Sequence, residues 1–267
     1  MNPEVMTYDR DVKDLHVGPP LHMFPGDELI SNDEYVATMS NTYLRKLPFA
    51  TMLMERFAIP RSNEDQECIK RGLVCMGWLD HMLDEAPDRQ ASRIAYTQLV
   101  DSLTHPHESL DKPTWLRPEV ITSVTLLRNS LTGLPQKNKD TIASKAQRIG
   151  EISIEKTTEK DVTGYSAILS EEGALSSDVV IECLSINSQG MDGYAQLHAF
   201  NTRAMVAATL LDAAIDLKQD YKDGLTGVMP TFRNRLFLYG KAFRHLPYIV
   251  KTLGVQGVLT TIKVGVN

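Results

Sequence analysis

Five aspartates stand at the spacing of metal ligands on helices. Asp212, Asp216 and Asp220 recur every fourth residue, an interval that puts all three on one face of a helix. Like charges so spaced weaken a helix, and none of the three has a Lys or Arg three or four positions away. A bound cation would supply the missing charge; a solvated acidic face would leave the same pattern. Asp80 and Asp84 repeat the arrangement at the end of an apolar run, again without a Lys or Arg at that distance.

Beneath each row lies a small-to-apolar floor: Met205, Ala208 and Thr209 under Asp212, and Leu73, Met76 and Gly77 under Asp80. Two such helices describe a pocket greasy below and anionic at its mouth. Magnesium suits such a mouth, since it takes one or two carboxylates and fills its other positions with water and phosphate oxygens. Calcium would call for a compact oxygen-rich loop, and Asp220–Gly224 lacks the alternation and closing Glu of an EF-hand. Zinc would call for His and Cys, and only His81 adjoins a rim, one position off the face. A di-iron bundle would need Glu-x-x-His pairs, and no Glu here has a His three residues later.

The elements that must hold these rows are helical. The hydrophobic share of 42% over 267 residues is ample for one large packed domain. A net charge of −6 argues against a nucleic-acid binder working through phosphate contacts. Cys68, Cys75 and Cys183 form no disulfide or metal spacing, which points to a reducing, cytoplasmic location. The N-terminal residues lack a secretory layout and no apolar run has the length of a membrane span. A soluble protein is expected, and a homodimer is allowed.

Residues 1–30, with Gly18-Pro19-Pro20 and Pro25-Gly26, read as a strap or disordered tail before a single domain over 31–267. Ser31–Glu34 starts a helix with an apolar stripe of Val36, Met39, Tyr43 and Leu47, broken by Pro48. A short helix Phe49–Phe57 follows, and Ser62–Asp65 caps the Asp80 helix, which stops near Pro87. A helix then runs to about Leu103. His105 and His107 stand on a proline-rich connector with no third ligand nearby, a poor metal site. Helices are predicted at 119–131 and 136–157, then two short pieces flanking Gly173 and a helix over 175–188. Gly190 and Gly193 precede the long Asp helix, and Gly224 stops it. A helix Phe232–Phe243 and an apolar end segment complete the chain. No segment alternates with period two for long enough to demand a strand, so the pattern predicts a single all-α domain of roughly ten helices.

Asp80-His81-Met82-Leu83-Asp84 resembles the first Asp-x-x-x-Asp motif of squalene and phytoene synthases, and Asp212 to Asp220 resembles their second. The second spacing is also similar to the metal triad of class I terpene cyclases, with Asp where those carry Asn, Ser and Glu. Glu155-Lys156-Thr157-Thr158, with Tyr165 and Gly173 after it, looks like the Lys-Thr helix and kinked helix of trans-prenyltransferases. The order of these pieces covers roughly residues 36–245. The resemblance is to the class I isoprenoid synthase superfamily, which includes small soluble prenyltransferases.

That resemblance implies a helical bundle around a central cavity and Mg2+-assisted ionisation of an allylic prenyl diphosphate. It implies metal ligation by Asp80, Asp84, Asp212, Asp216 and Asp220, with Asp80, Asp84 and Asp216 central to catalysis. Basic groups should close on the diphosphate, and Lys156, Arg233, Arg235 and Arg244 are the candidates. Aromatic faces stabilise cations, and Phe49, Trp78 and Tyr165, with Met76, Met205 and Thr209, are expected to line the cavity. The chain departs from the family pattern at its first motif. No paired arginines follow it beyond Arg89 and Arg93, and Met76, Gly77 and Trp78 replace the Tyr and Arg that precede it in phytoene synthases. These departures favour cyclisation by a terpene synthase, a lyase releasing diphosphate. The alternative is a transferase that joins the prenyl cation to a second substrate, and a non-catalytic helical binding protein is a third reading.

Overall fold

The computed structural model of the chain describes residues 43–44, 47–60, 62–85, 89–104, 115–183 and 192–254. The elements are α1 (Leu47–Arg56), α2 (Asn63–Glu85), α3 (Arg89–Ser102), α4 (Pro118–Ser130), a 3-10 turn (Leu131–Gly133), α5 (Gln136–Thr158), α6 (Val162–Glu182), α7 (Asp192–Lys222), α8 (Phe232–Phe243) and α9 (residues 246–254). The fold is all-α, with no strand among the described residues.

Local chemistry sets most of the boundaries. Pro48 and Pro118 occupy first turns, where a missing N–H costs nothing. Ser62 Oγ accepts from the Asp65 N–H at 3.1 Å while Asp65 Oδ2 accepts from the Ser62 N–H at 2.8 Å. This reciprocal pair satisfies two orphan donors at the start of α2. The Asp161 carboxylate accepts from the Thr163 and Gly164 N–H groups at the head of α6, and Thr231 caps α8 through the Asn234 N–H.

Three apolar clusters make the core. Trp78, Tyr96, Leu99 and Leu127 anchor one among α2, α3, α4 and α5. Leu53, Ile69 and Phe200 join α1, the start of α2 and the first half of α7 in a second. Tyr165, Leu210, Leu217, Val228 and Leu238 gather the head of α6, the second half of α7, the following loop and α8 in a third. Consecutive helices are neighbours: α5 packs on α6, α6 on α7 and α7 on α8, while α2 lies against both α3 and α4.

The α6–α7 contact is the most extensive between the described helices, and it corrects the expectation of a break at Gly173. Instead of two pieces and a separate helix over 175–188, α6 runs unbroken from Val162 to Glu182. A Cβ at Gly173 would stand 2.7 Å from Val206 Cα and 3.0 Å from the Met205 oxygen, so the glycine lets two backbones touch. One turn on, buried Asn201 donates to Ser177 Oγ at 2.9 Å, and His198 meets Asp178 at 2.6 Å. Gly193 falls inside the first turn of α7, where its missing side chain makes room for the Phe57 carbonyl. The expected tail over 1–30, nearly all of the Ser31 helix, the His105–His107 connector and the end segment after 254 lie outside the described residues.

If Gly173 serves close packing, Gly173→Ala should lose about 2 kcal/mol of stability in urea melts, the usual cost of forcing atoms into a filled core. A glycine placed only to bend the helix would instead gain roughly 0.5–1 kcal/mol on the same change.

Candidate functional site

The site forms where the C-terminal end of α5, the middle of α6 and the second half of α7 come together. The short turn Glu159–Asp161 folds α6 back along α5 and sets Lys156 opposite Glu172. Their side chains pair at 2.8 Å, with relative exposures of 21% and 12%. Such a pair has left water and holds only if its charges are compensated locally.

The fields of both acidic rows meet at this pair. Burial raises the Glu172 carboxyl above its ordinary value; Lys156 pulls it back, and Asp80 from α2 and Asp212 from α7 push it further up. Burial alone would lower the Lys156 ammonium, but Glu172 and then Asp80 more than reverse that, and it remains charged well past neutrality. Residues distant in sequence thus act on one buried point.

Asp220 reports the crowding on α7. Its carboxyl is pushed up to about 6, by burial first and next by Asp216, with Lys156 opposing and Asp212 and Asp223 adding to the rise. The loop after α7 then locks the corner. Gly224 takes φ +74°, and the Leu225 N–H donates to the Asp220 carbonyl at 2.8 Å, the wide closure of a Schellman motif. The Gly227 N–H donates to the Lys156 carbonyl at 3.1 Å, and a Cβ at Gly227 would stand 2.5 Å from the Glu159 oxygen. This loop brings Thr226 to the hydroxyl of buried Tyr165. Burial raises the Tyr165 phenol, the Thr226 hydrogen bond and Lys156 lower it, and Asp220 and Glu172 raise it, for a net upward shift.

Of the expected ligands, Asp80, Asp212 and Asp216 are exposed and Asp220 is half-buried; the Asp84 side chain lies outside the described residues. Among the described residues no three such side chains already converge on a single point. Magnesium does not require that, because one or two carboxylates per ion suffice. The donors the two helices offer are hard oxygens, while His81 turns its ring edge to Trp78 at a centroid distance of 5.7 Å. Oxygens of this kind suit a hard divalent cation, and Asp212, Asp216 and Asp220 on α7 with Asp80 on α2 are the residues that could hold one.

The four expected basic residues differ in setting. Lys156 is at the centre. Arg235 donates its Nε to the Ala214 carbonyl at 2.9 Å, bracing α8 against α7. Arg233 on α8 and Arg244 just after it stand exposed, on the side turned from the buried Leu238 and Ala242. The expected cavity wall changes as well. Trp78 has no accessible surface, so it borders no space a substrate could fill and is core. Tyr165 is buried against Lys156 and Thr226 as a support of the corner. Met76, Met205 and Thr209 are half-buried, with Thr209 Oγ1 donating back to the Met205 carbonyl at 3.0 Å. Under Asp80, the Tyr43 ring fills the room left by Gly77. The Phe49 side chain lies outside the described residues.

Sequence reasoning passed over Glu172 and Thr226. Glu171 and Glu172 are adjacent, and adjacent helix positions point about 100° apart. Glu171 turns outward to Arg148 at 2.8 Å, while Glu172 turns inward to Lys156. The signal available was their position just before Gly173, where no side chain separates α6 from α7.

No protein-family model, no curated protein and no solved structure matches the chain.

Asp220 offers a titration of the crowding. Its folded-state value of about 6 exceeds the unfolded value of about 3.9, so native protein keeps a proton that unfolded chain releases. The stability from this group is fully present below about pH 4 and is lost as pH rises through about 6. In EDTA, Asp220→Asn should therefore melt above the parent at pH 7.5 and level with it near pH 4. Equal melting temperatures across that whole range would show that Asp220 feels no crowding.

Proposed function

We propose that this chain ionises an allylic prenyl diphosphate in a Mg2+-dependent reaction of the class I isoprenoid synthase kind, with cyclisation and diphosphate release as the outcome. The observation that carries the reading is the Lys156–Glu172 pair, held at 2.8 Å away from solvent and within reach of the charges of Asp80 on α2 and Asp212 on α7. An acidic face made for solvation has no reason to meet a second one over a buried cation.

In this reading Asp80 and the Asp212–Asp216–Asp220 row hold the charge that receives the diphosphate. Magnesium, when bound, supplies neutralisation of the negative charge that builds on the leaving group. Lys156 stays protonated and adds positive potential from below the rim, fixed in place by Glu172. Preorganised charge of this kind costs no rearrangement at the moment of reaction. Tyr165, buried and hydrogen-bonded to Thr226, braces the corner beside Lys156. Transfer of the prenyl cation to a second substrate shares this first step, and product analysis with geranyl to geranylfarnesyl diphosphates separates the two outcomes.

Asp80→Ala and, separately, Asp216→Ala should abolish Mg2+-dependent pyrophosphate release while the metal-free melting temperature holds or rises slightly. Each change relieves like-charge repulsion in the free protein and removes a ligand whose cation acts mostly in the transition state. Undiminished turnover in either variant would refute the assignment, as would a metal-free melt several degrees lower.

A further inference from the structure

The helix after the candidate site carries an exposed apolar stripe bordered by cations. Phe232 is 82% exposed, Leu236 57% and Phe243 52%, and Met229 just before the helix is 60% exposed. At 100° per residue Phe232, Leu236 and Phe243 fall within a narrow sector of α8, to one side of the buried Leu238 and Ala242 that hold the helix to the third cluster. Arg233 and Arg244 border that sector, and Lys241 follows beyond them with its ammonium over the Phe237 ring at 5.3 Å. On α9, exposed Val250 and Lys251 continue the same chemistry.

The surrounding charge is one-sided. All 34 acidic residues of the chain precede Gly224, whereas Arg233, Arg235, Lys241, Arg244, Lys251 and Lys263 follow it. In a chain of net charge −6, residues 224–267 therefore carry no acidic side chain, and Phe232, the most exposed large aromatic among the described residues, sits there. Contiguous exposed apolar surface on a monomer marks an interaction site more often than scattered single residues do.

We propose that the exposed face of α8 docks on an anionic lipid surface, with Phe232, Leu236 and Phe243 entering the headgroup boundary and Arg233 and Arg244 meeting lipid phosphates. The combination of an apolar stripe and basic flanks is that of helices lying in a membrane interface. It needs no spanning segment, and among the described residues no helix is long and apolar enough to cross a membrane. A second copy of the chain is a poor occupant. A two-fold contact would set this basic face against itself, with no acidic residue in the stretch to relieve it. A bilayer also accepts a convex stripe without a matching groove. The proposal rests on α8 alone and stands whether or not the chain ionises a diphosphate.

The test is co-sedimentation of the full chain, in EDTA so that divalent ions cannot bridge its carboxylates to lipid. One set of vesicles is pure phosphatidylcholine and the other contains phosphatidylglycerol in addition. Binding is expected only to the anionic vesicles and should fall with added salt. Arg233→Glu with Arg244→Glu should weaken it at least about tenfold, and Phe232→Ser with Leu236→Ser and Phe243→Ser should remove it. Because all five side chains are exposed, both variants should melt as the parent does. The proposal is overturned if the parent stays in the supernatant with both vesicles, or if both variants bind as the parent does. A dimer in gel filtration that the triple variant breaks, without vesicle binding, would assign the stripe to a second copy and equally overturn it.

Discussion

A lysine and a glutamate that leave water together must be held by what surrounds them, and Lys156 with Glu172 sets that demand at the centre of this fold. The pair ties α5 to α6. It also lies where the charges of α2 and α7 can reach it, so the acidic rows are not independent decorations. Removing one partner of such a pair leaves an uncompensated charge, a cost of about 3–5 kcal/mol in buried examples. The loop that covers it is fixed by main-chain bonds from Leu225 to Asp220 and from Gly227 to Lys156, which join both sides of the corner through one short segment.

Backbone proximity makes this geometry possible. Gly173 brings α6 against Val206 on α7, and the next residue before it is Glu172. A larger side chain there would push α7, and with it Asp212, away from the pair. Farther along, Ser177 with Asn201 and Asp178 with His198 keep the same two helices in register. The apolar clusters supply cohesion, while these few polar contacts set which carboxylate faces which cation.

Much of the architecture was legible in the sequence because its signals are local. The Ser62–Asp65 cap, the stop at Gly224 and the span Phe232–Phe243 all appear where turn and capping chemistry put them. The Asp rows were legible because a four-residue interval fixes a face on any helix. Gly173 was misread because glycine can mark either a bend or a close approach, and only the partner backbone decides between them. Trp78 looked like a cavity wall because an aromatic residue two positions before Asp80 has no sequence mark of its burial. Glu172, Thr226 and the separate fates of Lys156, Arg233, Arg235 and Arg244 depend on antiparallel packing between distant segments, which no spacing encodes.

The central claim is that the two acidic rows form one anion-receiving site that works only with a divalent cation. Thermal melts of the parent protein with pyrophosphate alone, magnesium alone and both together test it directly. Ligands that bind the folded state raise its melting temperature, while an acidic rim without metal repels a diphosphate. The account predicts a clear rise with both present that exceeds the magnesium effect, and none with pyrophosphate in EDTA. An equal rise with pyrophosphate in EDTA, or no rise with both, would contradict it.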